Sequence, residues 1–251
     1  MPAALIFAAA FGSVIGSFLN VVVWRLPRGE SLSQPGSHCP KCETPIKPYD
    51  NVPVLGWLLL RGRCRSCRAP ISSRYPLVEA ATAVLYVLVV AVCWEDGTRI
   101  ALGIALVTLL VPVTLIDLDV QRIPNALTAP FAVLAVALVA ALDAGRLPEH
   151  LIAGAAAFGF FYLAAVAKPG GMGFGDVKLA GVLGLYLGRA VAPAIFIALV
   201  AGLVIGAGIM ARVGVVAGRR TKVPFGPFLA LGGLLGFLVG GSIMDAYLDR
   251  F

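Results

Sequence analysis

Charged residues are scarce in this sequence. Asp, Glu, Lys and Arg make up only 13% of the 251 residues, whereas 59% are hydrophobic. Soluble globular domains carry roughly 25% charged residues, so the composition excludes an ordinary soluble domain and predicts an all-α polytopic membrane protein. The N-terminus also lacks the basic stretch and the small-residue cleavage site of a secretory signal peptide. We therefore expect the first apolar run to be retained as a helix.

Long polar segments are also few, because eight apolar runs divide the chain. A bilayer-spanning helix requires roughly 17 to 25 residues. Seven of the runs meet that length, namely Ala3–Val23, Pro76–Trp94, Ile100–Ile116, Ala126–Leu142, Leu151–Ala167, Ala190–Ala211 and Val223–Met244. The remaining run, Leu179–Gly188, is too short by this criterion alone.

Basic residues are nearly absent from every second loop. If the N-terminus lies outside and eight helices follow, the inside segments 24–75, 117–125, 168–178 and 212–222 hold 16 of the 20 Lys and Arg residues. This positive-inside asymmetry accounts for the net charge of +7 without a nucleic-acid partner. It also requires Leu179–Gly188 to cross as a short sixth helix, because otherwise the basic segment 212–222 would lie outside.

Cysteine is rare too, and four of the five cysteines form two C-x-x-C pairs in the loop 28–75. Cys39 and Cys42 are separated from Cys64 and Cys67 by 21 residues, which is close to the spacing of a four-thiolate structural zinc site. Disulfides are the alternative, but the reducing cytosol disfavours them. A loop this short and polar cannot build its own core, so a bound metal would supply folding energy.

Two polar residues within the apolar runs keep more than one interpretation. Asn20 lies near the end of the first run, where it would form an interhelical hydrogen bond or serve a functional role. Glu79 lies about one turn inside the second run, where it would pair with a neighbouring Arg or face a polar cavity.

Glycine is concentrated in the segment 170–178, at the border of an apolar run. This segment contains Gly173, Gly175 and Asp176, and we expect it to be bent and accessible rather than a continuing helix. On its own, the pattern is more typical of a cytosolic turn than of a functional site. A second carboxylate, Asp117, ends another apolar run at the same membrane face, so the remaining helices can bring the two acids together.

A pair of carboxylates can cleave a peptide bond with water. One accepts the proton of the water, while the other, protonated, polarises the scissile carbonyl and protonates the leaving amine. Asp119 lies two residues after Asp117, and on a helix their side chains point roughly 200° apart. Only one of these two can readily face the interior of a helix bundle.

Two other classes of function would also use such residues. An ion-coupled transporter places acids within the membrane, but more often at the bilayer midplane and with repeat symmetry, and no repeat is visible here. A membrane scaffold would dock a cytosolic partner through the zinc loop.

Taken together, these motifs resemble the bacterial prepilin peptidases, which are G-x-G-D membrane aspartic proteases. The resemblance covers nearly the whole chain. It rests on Gly16–Pro27, the four cysteines followed by Ile71–Glu79, Asp117 with Arg122–Asn125, and Gly173–Asp176. The family places its first catalytic acid seven residues before the proline, here Pro124, which selects Asp117 over Asp119.

The resemblance implies the catalytic residues, the activity and the cofactors. Asp117 and Asp176 would be catalytic, with Gly173 and Gly175 in supporting roles. The enzyme would cleave the leader of type IV prepilin or pseudopilin precursors after Gly, at the cytosolic face of the bacterial inner membrane. It would then methylate the new N-terminal residue with S-adenosylmethionine.

The resemblance also implies two domains. Residues 1–95 would hold the first two membrane helices and the zinc loop 28–75, as the methyltransferase part. Residues 96–251 would form the aspartic peptidase from helices three to eight.

Overall fold

The computed structural model describes residues 1–168, 170–214 and 223–250. Within these ranges the regular elements are helices, and seven helical stretches are long and apolar enough to cross a membrane. The prediction of an all-helical polytopic membrane protein is therefore confirmed. The chain divides into two compact units, Met1–Glu95 (unit 1) and Asp96–Phe251 (unit 2).

Unit 1 is a pair of long helices that are joined by the 28–75 loop. Its helices are α1 (Pro2–Arg25), the short α2 (Leu55–Leu59) within the loop, and α3 (Arg74–Val92). Helices α1 and α3 pack closely through glycine: a Cβ built at Gly12 would lie 2.9 Å from Ala83 Cα, and one built at Gly16 would lie 2.8 Å from Glu79 Cα. Small residues let membrane helices approach in this way.

Unit 2 is a bundle of six helices among the residues described. They are α4 (Gly97–Val120), α5 (Asn125–Leu142), α6 (Leu147–Ala167), α7 (Phe174–Leu187), α8 (Val191–Val213) and α9 (Gly226–Leu248). Helix α4 begins where the Asp96 side chain accepts a hydrogen bond from the Arg99 N–H, and it ends at Gln121 in the left-handed conformation. Such caps satisfy backbone groups that a helix end leaves without partners.

The glycine-rich segment is more helical than predicted. Gly173 has an extended backbone and precedes α7, so Phe174, Gly175 and Asp176 form the first turn of that helix. The expectation that 170–178 is bent rather than helical was therefore wrong for 174–178. The predicted run Leu179–Gly188 corresponds to the rest of this 14-residue helix, which ends at Leu187. The missing Cβ of Gly175 leaves room for the neighbouring residue Ile123.

Helix α7 runs parallel to α9. A Cβ built at Gly233 would lie 2.6 Å from a methyl group of Leu183, and one at Gly236 would lie 2.9 Å from a methyl group of Leu187. The contacts therefore advance along both helices in the same direction. The start of α7, with Asp176, lies at the same end of unit 2 as the start of α9.

Helix α8 runs in the opposite direction. A Cβ built at Gly202 would lie 3.2 Å from the ring of Phe225 at the start of α9, whereas one at Gly240 would lie 3.1 Å from Ala190, just before α8 begins. Helices α7 and α8 are thus antiparallel to each other and are joined by the 3₁₀ turn Gly188–Ala190. The end of α8 returns to the end of unit 2 that holds Asp176.

Candidate active site and metal centre

The four paired cysteines converge on one point in the 28–75 loop. Their Sγ atoms all lie within 4.8 Å of one another. The Sγ atoms of Cys39 and Cys67 are 3.7 Å apart, and those of Cys42 and Cys64 are 3.9 Å apart. A tetrahedral site with Zn–S bonds of about 2.3 Å requires S–S separations of about 3.8 Å. The four thiols therefore fit a metal ion.

The two C-x-x-C pairs belong to equivalent backbone knuckles. The Cys39 carbonyl accepts a hydrogen bond from the Glu43 N–H at 2.8 Å, and 25 positions later the Cys64 carbonyl accepts one from the Arg68 N–H at 3.0 Å. Glu43 and Arg68 both have positive φ, at 56° and 58°. The sequence carries a matching signal in the repeated spacing C-x-x-C-x-x-P-I, which sequence reasoning overlooked when it found no repeat.

Side chains around the knuckles strengthen this arrangement. Asp50 accepts a hydrogen bond from the Arg65 guanidinium at 2.7 Å, which joins the second knuckle to the 3₁₀ turn 48–50. The same guanidinium holds the pKa of Asp50 below its ordinary value. Hydrogen bonding with Thr44 lowers the pKa of Cys42 to about 6.

Asn20 and Glu79, whose roles the sequence left open, are both buried in unit 1. The Asn20 side-chain amide donates to the Tyr75 carbonyl at 3.2 Å, which is a hydrogen bond between α1 and α3. Glu79 accepts a hydrogen bond from the Val54 N–H at 2.7 Å. Val54 immediately precedes α2 and has a φ of 61°, so Glu79 holds the start of α2 against α3.

Asp117 lies in the last turn of α4 and only 5% of its surface is exposed. Its Oδ2 atom accepts a hydrogen bond from the backbone N–H of Gly226 at 2.9 Å. Asp119 is exposed. The helical phase therefore separates the two acids as the sequence predicted, with Asp117 on the inner side of α4.

Asp176 lies in the first turn of α7 and is partly exposed. Its Oδ2 atom would lie 3.2 Å from a Cβ built at Gly173, and a Cβ built at Gly175 would lie 2.9 Å from Ile123 Cβ. Gly173 thus leaves room for the Asp176 carboxylate, and Gly175 lets the start of α7 pack closely against the turn between α4 and α5.

A polar contact supports the same junction. The Lys178 ammonium donates to the Asn125 side-chain oxygen at 2.8 Å, which links α7 to the start of α5. Asp117 lies in the last turn of α4, and Ile123, in the turn that follows, is the residue against which Gly175 packs, so both acids lie at this junction. The structure therefore brings together the two acids that the sequence singled out, one buried and one partly exposed.

Sequence reasoning missed Gly226. It placed the start of the last apolar run at Val223, whereas α9 begins at Gly226, and Gly226 is the residue that contacts Asp117. The sequence feature that could have identified it is a glycine between Phe225 and Pro227, near the start of the last apolar run. Proline at the first positions of a helix is a common start signal.

Comparison with known proteins gives matches over both units. Residues 10–93 match the bacterial peptidase A24 N-terminal domain, and residues 104–207 match the type IV leader peptidase family. The prepilin leader peptidase/N-methyltransferase of Neisseria gonorrhoeae is 37% identical over 98% of this chain and 94% of its own length. The protein of the same name from Aeromonas hydrophila is 37% identical over 96% and 92%.

A third relative is the type 4 prepilin-like proteins leader peptide-processing enzyme of Escherichia coli O78:H11, which is 38% identical over 93% of each chain. No solved structure gives a significant match. The near-complete coverage at these identities confirms the resemblance that the sequence motifs indicated. The chain belongs to the type IV leader peptidase family.

Proposed function

We propose that this protein cleaves the leader from type IV prepilin-like precursors and then methylates the new N-terminal residue. The names of its full-length relatives support both activities. Neither alternative that the sequence left open, a transporter or a scaffold, gains support from these relatives. The observation that carries the peptidase proposal is that Asp117, in the last turn of α4, and Asp176, in the first turn of α7, lie at the same end of unit 2.

Asp117 and Asp176 are the proposed catalytic pair. A water molecule between them attacks the scissile carbonyl carbon and gives its proton to the ionised carboxylate. The protonated partner donates a hydrogen bond to the carbonyl oxygen and then transfers its proton to the leaving amine. Gly173 and Gly175 act in support: Gly173 leaves room for the Asp176 carboxylate, and Gly175 lets the start of α7 approach the α4–α5 turn.

The proposed substrates are prepilin or pseudopilin precursors, in which a hydrophobic segment follows the leader and cleavage occurs after Gly. The exposure of Asp176 supports access for such a chain from the end of the bundle. The end of α8, which carries Arg212, returns to this same end. Basic residues favour the cytosolic side, so we place the active site at the cytosolic face of the bacterial inner membrane.

This orientation has its own test. Single cysteines introduced as Arg212→Cys and Gly145→Cys should react with a membrane-impermeant thiol reagent from opposite sides of the membrane, Arg212→Cys from the cytosolic side. Labelling of both positions from one side would contradict the proposed orientation.

We assign the methyltransferase to unit 1 and the peptidase to unit 2. The two family matches fall on either side of the boundary between the units, which supports this division. S-adenosylmethionine is the proposed methyl donor and would supply an electrophilic methyl group to the new N-terminal amine.

Zinc is the proposed metal of the 28–75 loop. Four thiolates with the spacing of a tetrahedral site are the usual ligands of structural zinc, and Cys39, Cys42, Cys64 and Cys67 form such a set. We expect this metal to fold the loop rather than to take part in peptide cleavage, which requires only the two carboxylates.

The function is tested by incubating the purified protein, reconstituted in lipid vesicles, with a synthetic prepilin-like precursor and S-adenosylmethionine. Mass spectrometry should detect a product that begins after the leader Gly and carries one added methyl group on its N-terminus. An intact precursor under conditions in which a characterised relative cleaves it would contradict the proposal.

A further inference from the structure

The N-terminus of α9 contacts Asp117, one member of the proposed catalytic pair, directly. The backbone N–H of Gly226 donates to Oδ2 of Asp117 at 2.9 Å, across 109 residues of sequence, and both residues are buried. A buried carboxylate oxygen that accepts a backbone hydrogen bond is fixed in orientation more firmly than one that faces solvent.

A side chain at position 226 would clash with the side chain of Asp117. A Cβ built there would lie 2.7 Å from Asp117 Oδ2 and 3.1 Å from Asp117 Cγ, closer than side chains approach one another. Alanine at this position would therefore displace the carboxyl group, α9 or both. Gly241 on the same helix is different, since a Cβ there would meet nothing within 4 Å.

The remainder of α9 is anchored, so it cannot easily move away. The Arg99 guanidinium, near the start of α4, donates to the Phe237 carbonyl of α9 at 3.2 Å. Gly233 and Gly236 pack against α7, the helix that carries Asp176. Helix α9 therefore rests on both helices of the catalytic pair, and a clash at Gly226 would be transmitted to Asp117.

We propose that Gly226 is a positioning residue of the peptidase. The Gly226 N–H donates its hydrogen bond to Oδ2 of Asp117, so that Oδ1 is the carboxyl oxygen that faces the reacting water. The absence of a side chain lets α9 approach closely enough to make this contact. The inference rests on the proposed function, in which Asp117 is one of the two catalytic acids.

The first test compares Gly226→Ala with the matched control Gly241→Ala in a prepilin-like precursor cleavage assay. Misplacement of a catalytic group by about 1 Å costs roughly 100-fold in rate. We therefore expect Gly226→Ala to lower kcat by about 10- to 100-fold with KM changed less than about twofold, because Gly226 contacts Asp117 and not the substrate. Gly241→Ala should cleave like the original protein. Equal kcat values for the two variants would overturn the proposal.

The second test is a thermal-stability cycle that does not depend on activity. Overpacking a buried position destabilises a protein, so Gly226→Ala should lower the melting temperature of the detergent-solubilised protein by about 5 °C. In an Asp117→Ala background the clashing Oδ2 and Cγ atoms are gone. There, Gly226→Ala should lower the melting temperature by less than half as much. An equal decrease in melting temperature in both backgrounds would overturn the proposed contact.

The cycle also covers the case in which Gly226→Ala alone fails to fold. Recovery of folded protein in the Asp117→Ala/Gly226→Ala double variant would support the contact, whereas failure of the double variant as well would overturn it. Failure of the proposed function is seen separately, in Asp117→Asn. Full cleavage by that variant would overturn the catalytic role of Asp117 whatever the stability cycle shows.

Discussion

The two units hold their functional groups in different ways. In unit 1, the four thiols come from one short stretch of chain, 39–67, and two equivalent knuckles present them. In unit 2, Asp117, Asp176 and Gly226 come from three different helices, and packing between these helices places them at one end of the unit. The first site is thus built from local backbone geometry and the second from close approach of distant helices.

This difference predicts how each site fails. Removing one thiolate from a four-thiolate site leaves an incomplete ligand set, so the metal centre should be lost as a whole. The carboxylate pair should instead lose activity in proportion to the displacement of its helices. Substitutions in the two units therefore provide a direct comparison.

The largest effect is expected at the metal centre. Cys39→Ser and Cys64→Ser, one in each knuckle, should each reduce the metal content from about one ion per chain to near zero. Elemental analysis of the purified protein measures this. Cys93→Ala is the matched control, since Cys93 lies at the end of α3 outside the cluster. Unchanged zinc in either serine variant would contradict the four-thiolate site.

A large but graded effect is expected at Gly175. The Cβ of Gly175→Ala would lie 2.9 Å from Ile123 Cβ, so α7 must shift and carry Asp176 with it. We expect kcat for precursor cleavage to fall by about tenfold or more. Gly159→Ala on α6, where a Cβ meets nothing within 4 Å, should keep full activity. Full activity of Gly175→Ala would show that the pair tolerates movement of α7.

An intermediate effect is expected at Glu79, which joins the loop to the membrane helices of unit 1. Glu79→Ala leaves the Val54 N–H without its acceptor, and the loss of such a buried hydrogen bond costs about 1 to 3 kcal/mol. Glu79→Gln keeps a side-chain oxygen for this contact and should retain most of the stability. Thermal unfolding measures both variants, and an equal loss for the two would argue against the hydrogen bond as the cause.

The smallest effect is expected at Asp50, whose side chain is only 7% exposed but pairs with the exposed guanidinium of Arg65. Without Asp50 that guanidinium stays solvated, and ion pairs with solvent-exposed groups contribute little to stability. Asp50→Ala should therefore lower the melting temperature by less than Glu79→Ala does, and it should keep the full metal content. Loss of the metal in this variant would mean that the ion pair is needed to align the knuckles.

The sequence predicted most of unit 1 because its signals are local. The spacing of Cys39, Cys42, Cys64 and Cys67 identified the ligand set, and their convergence follows from two short turns. The contact between Glu79 and Val54 was not predictable, because it depends on a non-glycine residue with positive φ that only the folded loop stabilises.

In unit 2, the sequence predicted the acids but not the packing around them. Helical periodicity alone separates Asp117 from Asp119, and the structure has the first buried and the second exposed. The role of Gly226 was not predictable, because it depends on a contact with a residue 109 positions away. The sequence did not predict the helical start of α7, because glycine is typical both of bends and of closely packed helices. The contact between Gly175 and Ile123, which shows close packing here, is visible only in the structure.

The most direct test of the central claim is precursor cleavage by three matched amide variants. Asp117→Asn and Asp176→Asn each replace a carboxyl with a group that can serve as neither acid nor base at ordinary pH, so each should abolish cleavage while the protein remains folded with its metal. Asp119→Asn makes the same chemical change on the exposed side of α4 and should leave much of the activity. Full cleavage by Asp176→Asn would contradict the aspartic peptidase mechanism.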